Sequence, residues 1–408
     1  MGVKKISSLR PSILNKESQC TLVISAVNFS EGGPLTVLRE CLRATSQVLS
    51  ENWRVIALVH DKHLFEATAG VTFIEFPSAK RSWLLRLYYE WFQFNSLSQR
   101  LKPDLWLSLH DITPRVTARR QAVYCHNPAP FFTVSLRAAL LDPKLYLFNK
   151  FYKHLYASGI SRNRHVIVQQ SWLRHEFQQS FGLDEVVVAY PEMKTGNISP
   201  VPERTITTRN KVFFYPALPR VPKNLEIIFE AVRLLNSQGV DGFEVRLTID
   251  GNENRYARML LKQYSAVTGI VFTGRQNQSQ MAAQYKNVDC LLFPSRLETW
   301  GLPISEAKTC GLPLLVADLP YAHETVGTYD RVRFFNPLAA GELAAMMKGF
   351  IDGQLNFESV RECTPEQPFV DSWPGLIRLL VKDLDSVEPL NGSADVSDPP
   401  QVFNRIVS

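Results

Sequence analysis

The sequence predicts an α/β protein made of two doubly wound, Rossmann-like domains that face one another across a cleft. Short apolar runs rich in β-branched residues alternate with longer helical patterns along most of the chain. The 408 residues exceed what one hydrophobic core usually supports. Between residues 190 and 211 the alternation gives way to a stretch rich in Pro, Thr and Asn, which we interpret as the linker between the domains.

The first half contains six predicted strands and four predicted helices. Each strand is a short apolar run suited to burial on both faces of a parallel sheet. The predicted strands are 21–27, 53–59, 71–76, 104–109, 121–125 and 165–170, and the predicted helices are 35–49, 83–100, 132–156 and 171–181.

The second half repeats the same theme. Its predicted strands are 211–216, 243–251, 270–274, 288–295 and 312–318, and its predicted helices are 224–237, 256–267, 279–285 and 303–310. We therefore expect an N-terminal domain (1–205) and a C-terminal domain (206–370). A helix at 371–385 is expected to return to the first domain, and 386–408 to form a flexible tail rich in Pro, Ser, Asp and Asn.

Composition excludes several protein classes. Hydrophobic residues make up 45% and charged residues 21% of the chain, which fits neither a disordered protein nor an integral membrane protein. The six cysteines form no C-x-x-C pair and mostly lie in apolar runs, as expected of reduced thiols in the cytoplasm. We expect no secretory signal in the N-terminal segment, and no apolar run is long enough for a transmembrane helix. The net charge of +6 could favour anionic ligands.

Residues 293–318 carry the strongest functional motif: a buried strand, a loop with Glu298, and a helix that begins at Pro303, after Gly301 and Leu302, and contains Glu306. Gly301 allows the backbone to approach a ligand closely. Free N–H groups at the start of the helix predict an anion site suited to phosphate. Glu306 could accept hydrogen bonds from the two hydroxyls of a ribose. The motif therefore predicts a nucleotide site.

Glu298 and Glu306 lie eight positions apart around a Gly-Leu-Pro, in the string P-S-x-x-E-x-x-G-L-P-x-x-E-A-x-x-x-G-x-P. This string resembles the E-x7-E motif of the retaining GT-B glycosyltransferases, family four (group 1). The resemblance implies the GT-B fold, with the acceptor on the side of the N-terminal domain (1–205) and a nucleotide-sugar donor bound by the C-terminal domain (206–370). Without the surrounding string, two solvated surface glutamates would be the simpler interpretation. A glycosidase acid and nucleophile pair fits less well, because one glutamate is placed for a ribose.

The segment NFSEGGPLTVL places Gly32 and Gly33 between a strand and a helix expected to begin at Pro34. Their amides could face a diphosphate, and a tight structural turn would account for the same letters. In the family that the chain resembles, this glycine loop closes over the donor phosphate and the acceptor. The resemblance therefore assigns that role to Gly32 and Gly33.

The segment from Phe213 resembles the family stretch G-R-L-x-x-E-K-N, in which Lys223 and Asn224 match the K-N pair. A lysine at the mouth of the cleft would stabilise the negative charge that develops on a leaving diphosphate. The family arginine, five positions before the lysine, falls on Leu218, and an arginine stands instead at Arg220. Three interpretations stay open: Arg220 reaches the phosphate from a reshaped loop, one cation is missing, or Arg220 is merely solvated.

Two histidines are candidates for contact with the transferred sugar. His126 follows the strand QAVYC, and the resemblance implies that it contacts the donor sugar. His110 also follows a strand, in LSLHD, and a structural role is open for either residue. The stretch IVFTGRQ resembles the family's F-x-G segment, which implies that the backbone at Thr273 and Gly274 meets the base and that Arg275 borders the phosphates.

No metal or cofactor is predicted. Neither His110 nor His126 has metal-ligand spacing, and the D-x-D pair, Asp383 and Asp385, lies outside the sheet loops. The resemblance implies that a hexose passes from a UDP- or GDP-sugar to a glycan hydroxyl with retention. Two other functions stay open: a nucleotide-sugar epimerase of the same fold, and a nucleotide-sugar-binding protein whose catalysis is impaired by Leu218.

Two helical segments, 80–94 and 131–156, combine Lys and Arg with Trp, Tyr and Phe. This pattern suits docking on an anionic membrane, although ordinary helices whose aromatic residues fill the core would have the same composition. With docking, a lipid-linked saccharide would be the natural acceptor, as in surface polysaccharide or O-antigen-type synthesis at the inner face of the membrane. Nucleic acid fits less well because the cations are not gathered into one dense run.

Overall fold

The structure is a computed structural model that describes residues 19–65, 70–191, 210–357, 364–382 and 384. Its N-terminal strands are β1 (Cys20–Ala26), β2 (Trp53–Val59), β3 (Val71–Glu75), β4 (Leu105–Ser108), β5 (Arg120–Cys125), β6 (His165–Val168) and β7 (Val186–Ala189). The helices between them are α1 (Gly32–Val48), α2 (Trp83–Tyr88), α3 (Phe94–Leu101), α4 (Leu136–Leu141), α5 (Pro143–Ala157) and α6 (Ser171–Phe181), with a π-helical turn (Tyr89–Gln93) between α2 and α3.

The second α/β series begins at residue 211. Its strands are β8 (Lys211–Tyr215), β9 (Phe243–Leu247), β10 (Ile270–Phe272), β11 (Cys290–Phe293), β12 (Leu314–Ala317) and β13 (Val332–Phe335), followed by the short β14 (Phe369–Val370). Its helices are α7 (Leu225–Ser237), α8 (Arg255–Gln263), α9 (Gln278–Asn287), α10 (Leu302–Thr309), α11 (Pro320–Val326), α12 (Ala340–Ile351) and α13 (Trp373–Val381).

These strands form two sheets in which the strands pair in parallel. The first sheet has the order β14-β7-β6-β5-β4-β1-β2-β3, and the second has the order β10-β9-β8-β11-β12-β13. In each sheet the order reverses beside the first strand, between β1 and β4 and between β8 and β11. Ligands of doubly wound sheets bind beyond the carboxyl ends of the strands at such a switch point. The fold therefore provides two facing candidate regions.

The structure corrects two predicted helices. The helix expected over 132–156 is divided into α4 and α5 at Asp142, because Pro143 has no N–H to continue α4 and the Asp142 carboxylate accepts the N–H of Leu145 at 3.1 Å. The helix expected over 83–100 contains the π-helical turn, in which the side chain of Glu90 is fully buried. Helix α1 begins at Gly32, two residues before the expected start at Pro34.

The two α/β units contact one another directly. The Gln170 amide, at the start of α6, donates to the hydroxyl of Thr325 at 2.8 Å, and the backbone N–H of Ser171 donates to the Glu324 carboxylate at 2.9 Å. Leu297, in the loop after β11, packs with Phe132 of the first unit. These contacts fix how the loops of the two sheets face each other.

Helix α13 leaves the second unit and packs against α1. Its Trp373 is buried and stacks on Tyr124 of β5, with 5.4 Å between the ring centroids. Among the described residues, no helix combines the length and the apolar character that crossing a bilayer requires. The expected tail and both aspartates of the D-x-D pair, Asp383 and Asp385, lie outside the described residues.

Candidate functional site

The switch point of the second sheet is spanned by an ion pair. Lys223 ends the turn after β8, Glu298 lies in the loop after β11, and the Lys223 ammonium contacts the Glu298 carboxylate. Both side chains remain partly accessible, at 27% and 14% of their surface. The amide of Asn224 holds the two loops by donating to the carbonyl oxygens of Pro294 and Pro337, at 3.2 and 2.8 Å. A cation and a carboxylate thus stand where this fold class binds its ligand.

Helix α10 begins beside this pair. Gly301 precedes it with φ +88°, a conformation that residues with a side chain rarely adopt. A Cβ at Gly301 would approach Phe293 and Ile304 to 3.3 Å, so glycine also relieves close packing under the loop. Leu302, the first helical residue, is exposed. The N–H of Leu302 is thereby presented at the carboxyl edge of the sheet, where it can bind an anion, whereas Pro303 has no N–H and Ile304 donates to the Gly301 carbonyl at 2.9 Å.

Glu306 lies one turn into α10 and is held by a tyrosine. The Tyr285 hydroxyl, on α9, donates to the Glu306 carboxylate at 2.6 Å. Burial raises the pKa of Glu306, and the hydrogen bond from Tyr285 opposes that shift. One carboxylate oxygen is engaged by Tyr285, which leaves the other for a second donor such as a hydroxyl group.

Arg220 is neither free nor merely solvated. Its guanidinium lies 3.1 Å from the carboxylate of Asp142, the residue that caps α5 on the first unit. Leu218, at the position of the family arginine, is 62% exposed and offers no charge. The arginine two positions after Leu218 is therefore engaged by a carboxylate of the other unit.

The glycine loop and the loop after β10 approach each other across the two units. The guanidinium of Arg275 lies 4.0 Å from the carboxylate of Glu31, and both side chains are largely exposed. Gly32 follows with φ +64°, while a Cβ at Gly32 or Gly33 would meet no atom within 4 Å. Space is therefore open in front of these glycines.

The loop after β10 is held by its backbone. The Thr273 N–H donates to the carbonyl of Leu247 at 2.9 Å, and the Thr273 hydroxyl reaches the same oxygen at 3.2 Å. Gly274, with φ +65°, donates its N–H to Ile249 at 3.3 Å. Both residues thus present a fixed backbone at the end of β10, the position at which a base was expected.

Burial distinguishes the two histidine candidates. The side chain of His110 is fully buried, whereas that of His126 is 22% exposed. His110 contacts Ser25 and Glu90, at 3.0 and 3.2 Å from its Nε2 atom, and its pKa is lowered by burial. His110 is thus a buried structural group, and His126 is the histidine that a ligand can reach. Among the described residues, His126 forms no hydrogen bond with the residues of the second unit.

Asp111 is a site residue that sequence reasoning missed. It has φ +70°, and its carboxylate accepts the backbone N–H groups of His126 and Asn127, at 2.7 and 3.0 Å. The hydroxyls of Tyr152 and Tyr156 donate to the same carboxylate at 3.0 Å each. Asp111 therefore fixes the segment that carries His126. The signal in the sequence was an acidic residue directly after the strand-end His110.

A pocket of about 550 Å³ opens beside this arrangement, between the first unit and the ends of β12 and β13. Phe132 and Thr133 line it from the first unit, and Arg296, Asp318 and Asn336 line it from the second. The pocket has room for a sugar-sized ligand, and its lining includes a positively charged side chain, Arg296, and a negatively charged one, Asp318.

Residues 199–365 match the model of a family described as glycosyl transferases group 1. A serotype-specific mannosyltransferase, WbdA from Escherichia coli, is 23% identical over 163 residues, which are 39% of this chain and 20% of that protein. The chain thus covers a small part of that relative's length.

Two solved structures overlap with most of this chain. The apo form of the lipopolysaccharide outer core galactosyltransferase WaaB has a TM-score of 0.58 at 14% identity, and the match covers 90% of this chain and 97% of that one. HepE from Anabaena, in complex with UDP-glucose, has a TM-score of 0.57 at 16% identity over 82% of this chain and 90% of its own. The fold is therefore GT-B, and the resemblance to the group 1 family is confirmed.

Proposed function

We propose that this chain, whose residues 199–365 match the group 1 glycosyltransferases, is a retaining transferase that moves a hexose from a UDP- or GDP-sugar to a glycan hydroxyl. The observation that carries the proposal is the ion pair between Lys223 and Glu298 at the switch point of the second sheet, beside the start of α10. The Lys223 ammonium there would offset the charge of a departing diphosphate.

Each candidate residue has a role in this proposal. The diphosphate would bind Lys223 and the start of α10, from Gly301 to Pro303, where Gly301 and Leu302 supply the N–H donors because Pro303 has none. The ribose hydroxyls would bind Glu306. The transferred sugar would lie between Glu298 and His126. Since the solved HepE structure holds UDP-glucose, a nucleotide sugar of this kind fits the fold.

Further contacts would close the site. The backbone at Thr273 and Gly274 would meet the base, and Arg275 would border the phosphates, opposite Gly32 and Gly33. The 4.0 Å approach of Arg275 to Glu31 supports such a closure, since it already joins these two loops. Closure would exclude water and suppress hydrolysis of the donor.

Retention follows if the acceptor attacks from the face that the diphosphate leaves. The bond between the anomeric carbon and the phosphate oxygen breaks, and a bond from that carbon to the acceptor oxygen forms on the same face. The acceptor's proton passes to the departing phosphate oxygen, so that no protein base is needed. Lys223 stabilises the charge on the leaving group, and His126 contacts the sugar in which positive charge develops.

We propose that the reaction needs neither a metal ion nor a cofactor, because Lys223 and the start of α10 supply the positive potential for the diphosphate. Among the described residues, Asp61, His63 and Glu75 bring potential metal-ligand atoms close together, but they belong to the ends of β2 and β3 in the first sheet and are not among the residues proposed to bind the donor. Turnover is expected to persist in EDTA, and a strict requirement for Mg²⁺ or Mn²⁺ would contradict this part of the proposal.

The acceptor is proposed to be a saccharide of surface polysaccharide or O-antigen-type synthesis, carried on a lipid at the cytoplasmic face of a membrane. WaaB, a solved structure of the same fold, is described as a lipopolysaccharide outer core galactosyltransferase. This description supports the proposed acceptor class. No nucleic-acid partner is proposed.

A thermal-shift comparison of UDP, GDP and ADP, with and without their attached sugars, tests the donor. A ligand that binds only the folded chain stabilises it by RT ln(1 + [L]/Kd), so the correct base should raise the melting temperature most. Incubation with that donor and an acceptor extract should then yield a product whose anomeric configuration, assigned by NMR, equals that of the donor.

Two outcomes would replace this proposal. An isomerised sugar nucleotide formed without any acceptor would indicate an epimerase. Tight nucleotide binding without turnover on any acceptor would indicate a binding protein, which Leu218 and the engagement of Arg220 by Asp142 would explain.

A further inference from the structure

An unusually apolar surface covers helices α2, α4 and α5 of the N-terminal unit. Ten of the fifteen exposed large hydrophobic side chains in the described ranges lie between residues 83 and 151. A typical soluble surface scatters such residues singly, so a concentration of this kind indicates a binding surface. We define the aromatic face by six of them, each between 43% and 80% exposed: Leu84, Tyr88, Phe92, Leu140, Leu147 and Phe151.

The aromatic face is continuous between two helices. Tyr88 and Phe92 stack with 5.7 Å between ring centroids, so the exposed row on α2 extends through the π-helical turn. Leu147 and Phe151 are four residues apart on α5 and therefore share one side of that helix. Trp83 of α2 contacts Phe148 of α5, with 5.9 Å between centroids, and joins the two rows.

The exposed charged side chains of the two segments that carry the aromatic face are all cationic. Within 80–101 and 132–158 the acidic residues are Glu90 and Asp142, both buried, and Asp142 is paired with Arg220. Among the side chains that the structure describes, the same segments expose six lysines and arginines: Lys80, Arg81, Arg100, Lys144, Lys150 and Lys153. Exposed apolar side chains flanked by lysine and arginine match the hydrocarbon boundary and the phosphate layer of an anionic bilayer.

We propose that the aromatic face docks this protein on the surface of an anionic lipid bilayer, with Leu147, Phe151 and the row on α2 entering the headgroup region. A second copy of the chain is a poorer occupant, because a symmetric contact through this face would bring lysines against lysines. An anionic bilayer satisfies the apolar and the cationic residues together.

The aromatic face lies next to residues of the cleft, so docking on a membrane would bring a lipid-linked acceptor close to the proposed site. Lys80, at its edge, donates to the hydroxyl of Ser30 in the loop before Gly32. Asp142, at the start of α5, holds Arg220 of the other unit. A lipid-linked saccharide entering from the membrane would therefore reach the cleft over a short path. The delivery of an acceptor rests on the proposed function, whereas binding to the bilayer does not.

Flotation with lipid vesicles tests the docking. The full chain is mixed with vesicles of phosphatidylcholine alone, or of phosphatidylcholine with about one quarter phosphatidylglycerol, at low and high salt. We expect binding to the anionic vesicles that weakens at least about fivefold between roughly 0.05 and 0.5 M salt, because exposed charges are screened. This readout needs no variant.

Matched variants separate the two contributions. The double variant Leu147→Ser/Phe151→Ser should lower partitioning about tenfold or more by removing apolar insertion. The double variant Lys144→Glu/Lys150→Glu should lower it about as much, and only on anionic vesicles. Val271→Ser and Lys262→Glu, exposed positions on the C-terminal unit, are the controls and should partition like the unmodified chain.

The proposal is overturned if the unmodified chain does not float with anionic vesicles, or if both double variants float as it does. It is also overturned if sedimentation velocity reveals a dimer that Leu147→Ser/Phe151→Ser abolishes while vesicles are not bound. Nucleotide affinity in solution is measured on the same samples. Retained affinity with lost flotation places the failure in docking alone, and lost affinity with retained flotation places it in the proposed function alone.

Discussion

The guanidinium of Arg220 lies 3.1 Å from the carboxylate of Asp142, so that the loop after β8 in one unit is tied to the start of α5 in the other. A second contact lies close by, where Arg255 donates to the carbonyl oxygen of Leu140 at 3.2 Å. Arg220 thus stands near the position of the family's phosphate-binding arginine but is engaged by a carboxylate. A diphosphate entering the cleft would compete with Asp142 for Arg220.

Replacing Asp142 with asparagine tests that competition. Asn can still accept the N–H of Leu145 and cap α5, so Asp142→Asn removes the charge but keeps the helix start. With Arg220 released, we expect the Kd for the nucleoside diphosphate to fall about threefold to tenfold, measured by calorimetry. Arg220→Met should raise that Kd about tenfold. Unchanged affinity in both variants would mean that Arg220 serves only to hold the two units together.

Glu306 is expected to bind the ribose, so replacing it should lower the affinity only for ligands that contain a ribose. Glu306→Gln should weaken binding of the nucleoside diphosphate about 10- to 100-fold, since a hydrogen bond to a charged group contributes about 1.5 to 3 kcal/mol. Pyrophosphate lacks the ribose, so its affinity should not change. An equal loss for both ligands would indicate that the substitution disturbs α10 instead.

Tyr285→Phe provides the matched control for Glu306. The hydrogen bond from Tyr285 lowers the pKa of Glu306, so its removal raises that pKa further. Nucleoside diphosphate affinity in Tyr285→Phe should therefore begin to decline at a higher pH than in the unmodified chain when the solution is acidified. Coincident pH profiles would exclude an ionised Glu306 from binding.

Lys223 is expected to act on the rate more than on binding. Lys223→Ala should lower kcat about 10²- to 10³-fold, as does loss of a group that stabilises charge developing in the transition state. KM for the donor should change by less than about threefold. Lys262→Ala, on the exposed side of α8, is the control for loss of a positive charge. A raised KM with unchanged kcat would reassign Lys223 to ground-state binding.

Much of the fold follows from the sequence because buried parallel strands are short apolar runs. The strand predicted over 53–59 coincides with β2, and the elements around Glu298 and Glu306 lie as the motif predicts. The division of the predicted helix 132–156 at Asp142 could have been predicted from Pro143, because proline is unfavourable inside a helix. The π-helical turn could not, because its residues fit an α-helix equally well and a buried glutamate decides the outcome.

The contacts within the candidate site were less predictable. Lys223 and Glu298 were each found by a motif, but their ion pair joins residues 75 positions apart and depends on β8 lying beside β11. Hydrophobic periodicity locates strands along the sequence but does not predict which strands lie side by side in the sheet. Asp111 and Asp142 belong to no motif, and their roles arise from the tertiary positions of Tyr152, Tyr156 and Arg220.

A last prediction concerns the buried group under the first switch point. Glu90 and His110 are both fully buried, with Glu90 Oε1 3.2 Å from His110 Nε2, and Arg86 donates to the His110 carbonyl at 2.7 Å. Burial raises the pKa of Glu90 to about 8, against a smaller opposing effect of Arg86, and lowers the pKa of His110. The folded chain therefore keeps a proton on Glu90 that the unfolded chain releases above about pH 4.3.

The sign of the resulting pH dependence follows from proton binding. Stability from Glu90 is present at low pH and is lost as the pH rises toward about 8, at up to about 1.4 kcal/mol per pH unit. His110 has the opposite effect. Below about pH 6.5 the unfolded chain binds a proton at His110 that the folded chain does not bind, so the contribution of His110 to stability falls as the pH is lowered. Above about pH 6.5, only the decline from Glu90 remains of these two effects.

Glu90→Gln should therefore flatten the decline in unfolding free energy between about pH 6.5 and 8, measured by urea titration at each pH. The amide cannot ionise and keeps the shape of the carboxyl group, so its packing is conserved. His110→Gln is the companion variant: it should remove the opposing rise below about pH 6.5 and leave the decline above it. If the curves of Glu90→Gln and the unmodified chain run parallel from pH 6.5 to 8, Glu90 is ionised in the folded state and Arg86 outweighs its burial.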